Sequence, residues 1–345
     1  ASTTDFVIRM SAALGVGSIV IGLALQNAVG GVISGLLLLF EQPFRIGDWL
    51  TVGDVKGRVV EVNWRAVHID TGTGLQILPN SSLSGASFTN LSRPEGTFHA
   101  STGVTFTTDD PPHEVIALLI EVADSLPMRV PNERATARYN GAGEYSVSLP
   151  VNGPSRGGAA LSLYLAWLWY AARRRGLALD GDSTDPIAEP GRLAAALNVV
   201  GPTLQLNEQD RELILAEAHL ERYGSGEIIL GTGVVPQSVL FVVEGTVRVS
   251  VEAKDARIDF ATVEPGDYVG QTALTREPTL TTSTAADVVT VLVVPLAALD
   301  ELVRTRPRLA REIGQSIELK RRSAAEALAT AGVTRAITRG ISSGS

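Results

Sequence analysis

Few residues of this chain have the types and spacing that covalent chemistry requires. Asp70-Thr71-Gly72 matches the triplet that carries an aspartic-protease carboxylate. That chemistry needs two carboxylates sharing one proton, so a single triplet would work only in a symmetric dimer. Gly72 and Gly74 suit a hairpin turn better. The four histidines, His68, His99, His113 and His219, show no metal-ligand spacing. There is no cysteine, which removes disulfides, thiolate nucleophiles and Cys-ligated metals. The phosphate-cradling pattern G-x-x-x-x-G-K-[ST] does not occur. Two basic clusters remain. Arg173-Arg174-Arg175, ahead of Gly176, complements a helix C-terminus more simply than it binds phosphate. Lys320-Arg321-Arg322 reads as the solvated face of a last helix. No catalytic residue and no metal site is expected, so the chain is not read as an enzyme.

The elements around these residues tell more. The 345 residues leave room for two or three domains. The net charge of -8 supplies no basic face for nucleic acid. From Met10 to Phe40 there is no charge at all, and Arg9 is the one charge after Asp5. About 20 apolar residues suffice to cross a bilayer, so residues 1–44 are expected to hold a transmembrane helix in contact with lipid. Arg45, Lys56 and Arg58 follow it, against Arg9 ahead of it. The excess of positive charge places the C-terminal side in the cytoplasm.

At about 100° per residue, Gly15, Ser18 and Gly22 share one face of that helix. Ala13, Gly17, Ala24 and Ala28 share another, roughly opposite. Small residues let helix backbones approach closely in lipid, and two opposed small faces let each helix pack against two neighbours in a ring of identical subunits. Between them one side carries Ala12, Val16, Ile19 and Leu23, with Gln26 and Asn27 below. If that side lines the ring, Ile19 and Leu23 form stacked apolar constrictions that gate by dewetting. An anchor helix without a pore is the alternative. Asn27, Gly30 and Gly31 are expected to kink the helix. A second helical piece then runs from Gly31 to Glu41, and Pro43 ends it.

Gly22-Leu-Ala-Leu-Gln26, then Pro43-Phe44-Arg45-Ile46-Gly47-Asp48, then Gly57-Arg-Val-Val-Glu61 and Leu78-Pro79-Asn80 follow one another. In that order they resemble the third transmembrane helix and following β-domain of the MscS family of small-conductance mechanosensitive channels. The resemblance covers roughly residues 10–180. It implies a homo-heptamer in the inner (plasma) membrane that opens under tension and passes inorganic ions and small osmolytes, with residues after about 44 cytoplasmic. Two apolar rings close the pore in that family, and Ile19 and Leu23 match them. Asn27 stands where a glycine is usual. The family's earlier helices have no counterpart here, so the chain is expected to belong to a longer, multi-pass protein.

The fold class expected is a membrane α-helical pore segment, an α+β cytoplasmic region and a C-terminal antiparallel β-roll with flanking helices. Residues 45–95 read as short strands broken by glycine turns, and the resemblance implies an Sm-like β-barrel there. Residues 96–182 read as a mixed α/β domain. It has a strand over 97–108, a helix over 111–126, strands over 135–139 and 145–151, and a helix over 156–175 N-capped by Ser155. Residues 183–202 read as an acidic, proline-bearing linker. Residues 203–328 begin with a helix over 207–220 and continue as strand-and-turn units, with closing helices over 296–303 and 307–328. Residues 329–345 read as a flexible tail.

Arg222-Tyr-Gly-Ser-Gly-Glu-Ile-Ile229, Leu240-Phe-Val-Val-Glu-Gly-Thr-Val247 and Pro265-Gly-Asp-Tyr-Val-Gly270 resemble the cyclic-nucleotide-binding domain family. The resemblance implies a phosphate-binding cassette at Gly270, Gln271, Thr272, Ala273 and Leu274, continuing through Leu280 and Thr281. It also implies cAMP or cGMP as ligand, with the last helix as lid. Gln271 stands where the family's ribose-binding glutamate is expected. Leu280, or Thr279 or Thr281 in a shifted register, stands where its phosphate-binding arginine is expected. Gln271 can still hydrogen-bond a hydroxyl, but Leu280 cannot pair with a phosphate. The domain is therefore read as a gating modulator, a structural module, or a site for an altered ligand.

Overall fold

A computed structural model describes residues 22–330 apart from 24, 27, 28, 31, 190, 205, 253–256 and 306. Ala12, Ala13, Gly15, Val16, Gly17, Ser18, Ile19, Ala24, Asn27, Ala28 and Gly31 lie outside the described residues, as does the tail after Thr330. Among the described residues no helix is long and apolar enough to cross a membrane. The chain divides into two compact units, residues 1–100 with 150–158 and residues 101–149 with 159–345.

In the first unit residues 22, 23, 25, 26, 29 and 30 are helical, and α1 spans residues 32–41. Gly30 therefore sits in helix. Pro43 follows the end, as its missing N–H requires. Leu23, Leu25, Val29, Ile33, Leu36, Leu37 and Phe40 expose between 45% and 84% of their surface. Five antiparallel strands follow: β1 (Trp49–Val52), β2 (Val55–Val62), β3 (Ala66–Asp70), β4 (Leu75–Pro79) and β5 (Phe88–Asn90). Their order is β4-β3-β2-β1-β5. Pairing that would close this sheet into the expected barrel is not among the strand contacts of the described residues. Alternate residues face one core of Phe44, Leu50, Val59, Val67, Ile69 and Leu83, as period-two patterning dictates. Asp70 accepts from the Gly72 N–H at 2.9 Å inside the β3–β4 turn. The triplet at 70–72 is thus a hairpin, and its carboxylate is engaged in turn geometry. A short helix, α2 (Asn80–Gly85), was not legible in the sequence. Gly35 is set by contact, since a Cβ there would lie 1.9 Å from the Trp64 carbonyl oxygen.

Next in the chain, and for the most part in the second unit, come β6 (Phe98–Thr105), α3 (Pro112–Ser125), β7 (Thr136–Gly141), β8 (Glu144–Val151) and α4 (Pro154–Arg174). The strand order is β6-β8-β7. Ser155 does not cap α4, because the helix already begins at Pro154; proline's fixed φ suits a first turn. The segment read as linker holds a 3-10 turn, Pro186–Ala188, and a helix, α5 (Arg192–Leu204). The apolar face of α5 is why it folds: Leu197, Val200 and Leu204 are buried in the core beyond. Next come α6 (Glu208–Glu217), started by a reciprocal Asn207–Asp210 capping box, and β9 (His219–Tyr223). The helix expected to reach Leu220 stops at Glu217 because 219–223 pair with a later strand.

The β-roll comprises β10 (Ile228–Leu230), β11 (Ser238–Glu244), β12 (Val247–Glu252), β13 (Arg257–Val263), β14 (Tyr268–Val269), β15 (Thr282–Ala285) and β16 (Val289–Pro295). They form two four-stranded sheets, β10-β15-β12-β13 and β14-β11-β16-β9. Helices α7 (Leu296–Thr305) and α8 (Pro307–Thr330) close the unit.

Gly57 in β2 offers a check on the first unit. A Cβ there would lie 2.3 Å from the Asp70 carbonyl oxygen and 2.6 Å from an Ile69 methyl. Gly57→Ala should therefore cost about 1–3 kcal/mol by overpacking, read as a lowered denaturant midpoint with unchanged slope.

Candidate functional site

The turn Tyr223-Gly-Ser-Gly-Glu227 links β9 to β10 and lies on helix α4. A Cβ at Gly224 would sit 2.7 Å from the Tyr170 ring. Gly226 has φ +82°, and its Cβ would sit 3.2 Å from Trp167. Both positions need glycine, one for contact and one for conformation. Trp167 is buried and donates its indole N–H to the Ser225 carbonyl at 2.9 Å.

Arg174 anchors the turn. Its guanidinium pairs with both oxygens of Glu227 and donates to the Arg222 carbonyl at 2.7 Å. It also stacks over Tyr223 at 4.1 Å. The Glu227 side chain is only 7% exposed and also accepts from the Gly224 N–H at 2.9 Å. Burial pushes the Glu227 carboxyl up, against the pull of Arg174 and Gly224. Arg222 pairs with Asp185 at 2.8 Å and lies 5.0 Å over Trp169. The three-arginine cluster therefore does more than complement a helix end. Arg173 donates to the Thr184 carbonyl at 2.8 Å, Arg174 holds Glu227, and Arg175 pairs with Glu121. The sequence offered the charges but not their partners, which lie 11 positions away for Arg173 and 48 to 54 for Arg174 and Arg175.

The turn runs directly into the walls of a pocket. Gly226 and Glu227 exchange backbone hydrogen bonds with Ala285 at 2.8 and 2.9 Å. Leu230, at the end of β10, and Ser283, in β15, line the pocket. With α8 lying over it, the pocket leaves about 40 Å³ for the centres of water-sized spheres, room for about three waters.

Of the cassette residues singled out in the sequence, Gly270, Gln271, Thr272, Leu280 and Thr281 line the pocket. Ala273 is instead buried in the core and Leu274 packs against it. Gly270 adopts φ +81° ahead of the 3-10 turn Gln271–Ala273. Gln271 is 8% exposed. The Thr272 hydroxyl is buried without a hydrogen-bond partner among the described residues. Thr279 is a structural residue, donating to the Gly231 carbonyl at 2.6 Å, while its own carbonyl accepts from the Gly233 N–H at 2.7 Å. In this register Leu280 faces the pocket, 48% exposed.

Helix α8 covers the pocket with Ile317, Arg321 and Ala324. Arg321 was read from the sequence as part of a solvated face, and its side chain is 44% exposed. It lines the pocket and pairs with Glu277, because the helical period turns it toward Ile317 and Ala324, three or four positions away. Among the described residues no group of histidines and carboxylates could hold a metal.

Comparison with known proteins follows this division. Residues 27–93 match the family model "Mechanosensitive ion channel, beta-domain". Residues 220–306 match "Cyclic nucleotide-binding domain". The chain thus joins an MscS-type β-domain to a cyclic-nucleotide-binding-type domain. It is 31% identical over 145 residues to the large-conductance mechanosensitive channel MscMJLR of Methanocaldococcus jannaschii, covering 41% of this chain and 39% of that protein. It is 32% identical over 116 residues to the small-conductance mechanosensitive channel of Caldanaerobacter subterraneus, covering 33% and 40%. The chain thus spans about two fifths of these relatives' length. A closed-state Helicobacter pylori MscS crystal structure aligns with TM-score 0.45 and 17% identity, over 55% of this chain and 75% of that one.

Two outcomes follow for the joint. Arg174→Ala leaves Glu227 buried and unpaired, which should cost about 3–5 kcal/mol. Replacing both Arg174 and Glu227 by Met should be far milder in the same denaturation experiment. At its edge, His219 and Glu221 lie 3.2 Å apart. The hydrogen bond to Glu221 raises the His219 pKa. The Glu221 pKa is lowered: burial opposes this, but bonds to His219 and Tyr223 outweigh it. The raised histidine stabilises the fold below its ordinary pKa and loses that effect as pH rises through its folded value. The lowered carboxylate loses its effect as pH falls through its own. Thermal melts of His219→Gln should fall below wild type near about pH 6 and meet it by about pH 8.5.

Proposed function

We propose that this chain is a subunit of a tension-gated channel of the MscS type whose last domain modulates gating. One observation carries the reading. An MscS-type β-domain directly follows a helical segment that leaves its large apolar side chains open. Such a surface is suited to lipid and to neighbouring copies of itself. In this reading identical subunits, seven by resemblance, ring the pore in the inner membrane. Ile19 and Leu23 close it, and tension favours the wider, wetted state. Inorganic ions and small osmolytes pass, and the pressure of an osmotic downshock is released. The two relatives compared above are named as mechanosensitive channels.

The C-terminal domain acts on that machinery through the joint at α4. The turn that seats on α4 is the start of a pocket wall, so occupancy of the pocket and the seating of the turn are mechanically linked. cAMP and cGMP are the first ligands to examine. The test is recording from excised patches under graded suction, with and without bath nucleotide. Stepwise currents that rise with suction, at a threshold shifted by nucleotide, are expected. Currents that need nucleotide and ignore suction would make this a ligand-gated channel of the same architecture. Silence under all conditions would leave a membrane-anchored scaffold. Leu23→Ser should lower the suction threshold, since a hydroxyl wets the constriction, and unchanged gating would remove Leu23 from the gate.

A further inference from the structure

The pocket is nearly without charge. Among the described lining residues, Arg321 alone is ionisable; the rest are aliphatic, hydroxyl, amide, glycine and proline groups. Leu280 supplies no cation from the cassette. Arg321 approaches from the other side, on the lid helix α8, between Ile317 and Ala324, which are 8% and 3% exposed. Its partner is Glu277, in the loop between Ala273 and Leu280. That carboxylate is held in place. The Glu277 backbone N–H donates to the Thr272 carbonyl at 3.2 Å, and Glu277 accepts from the Thr275 hydroxyl at 3.2 Å. The Thr272 hydroxyl, in the 3-10 turn just ahead of that loop, is buried and has no hydrogen-bond partner among the described residues.

We propose that Arg321 is the counter-ion for a phosphate-bearing ligand of this pocket, and that Glu277 competes with the ligand for it. This rests on the reading of the domain as ligand-responsive, and it adds which residue sets the specificity. The Arg321 and Glu277 side chains are 44% and 45% exposed. An ion pair so wetted is weak. A phosphate inside the pocket offers the same guanidinium a bidentate, charge-assisted partner with less water around it. The ligand therefore wins the exchange, and the Thr272 hydroxyl gives it a second contact. A cation has moved from the cassette to the lid, so binding and lid position are coupled through one side chain. With the pocket empty, Glu277 holds the lid down by the same group.

The test is equilibrium binding of cAMP and of cGMP to the full chain in detergent or nanodiscs, with four substitutions. Arg321→Gln should weaken the binding by about tenfold or more. Arg321→Lys should recover part of it. Glu277→Gln should tighten it by about two- to fivefold, a gain that a merely structural ion pair would not produce. Leu280→Arg should tighten binding and make Arg321→Gln nearly silent. If wild type binds but neither Arg321→Gln nor Glu277→Gln changes affinity, the inference fails and ligand control stands. If wild type is silent to millimolar nucleotide while Leu280→Arg binds, Arg321 cannot serve as the counter-ion. If neither binds, the inference and ligand control both fail.

Discussion

Glu227 carries a carboxylate into a place that holds almost no water, and the second unit is arranged around neutralising it. Removing such a group from solvent costs several kcal/mol unless a charge and further donors replace the water. Arg174 and the Gly224 N–H do so. Arg174 can reach only because α4 ends where it does and because its turn partner carries glycine at 224 and 226. A larger residue at either point would lift the turn off Trp167 and Tyr170. The ion pair, the two glycines and the aromatic face are thus one constraint, satisfied together or not at all. An apolar joint would hold as firmly, but a buried ion pair tolerates one geometry and so fixes the direction in which β10 leaves the turn.

How far the sequence revealed this differs by element. The strands of the first unit were legible because apolar and polar residues alternate and glycine turns separate them. The hairpin at 70–74 was legible from its turn residues. Helix α5 was not, because Asp180–Gly191 ahead of it has linker composition and its apolar face becomes informative only once a core exists to receive it. Strand β9, His-Leu-Glu-Arg-Tyr, has little β-propensity; pairing with β16 overrides that. Of the seven cassette residues that the resemblance implies, five line the pocket and two, Ala273 and Leu274, face the core. Arg321 was missed because a charged run on a helix looks solvated until the opposite wall of a pocket is known.

The domain combines one hard contact, outside the pocket, and one soft contact at its lid. At the joint, the Arg174–Glu227 pair is desolvated, and breaking it would leave a stranded charge. At the lid, the Arg321–Glu277 pair is half in water and holds with about 0–1 kcal/mol. A ligand can shift a conformational equilibrium only by its differential affinity for the two states. A ligand entering here meets the weak contact first. On the proposed reading its energy would go into the position of α8, with β10 and the joint responding as a stiff continuation of the pocket wall.

This asymmetry also bears on the loss of the cassette cation. An arginine at position 280 would hold a phosphate against the wall, leaving the lid to close over it by apolar contact. With leucine there, the phosphate is held by the lid itself or by nothing charged. Affinity and closure then cease to be separable quantities, since the open lid takes the counter-ion away from the site. Such a pocket binds less tightly than one with a fixed arginine. A larger fraction of what binding energy it has is expressed as movement, because almost none is spent equally on both lid positions.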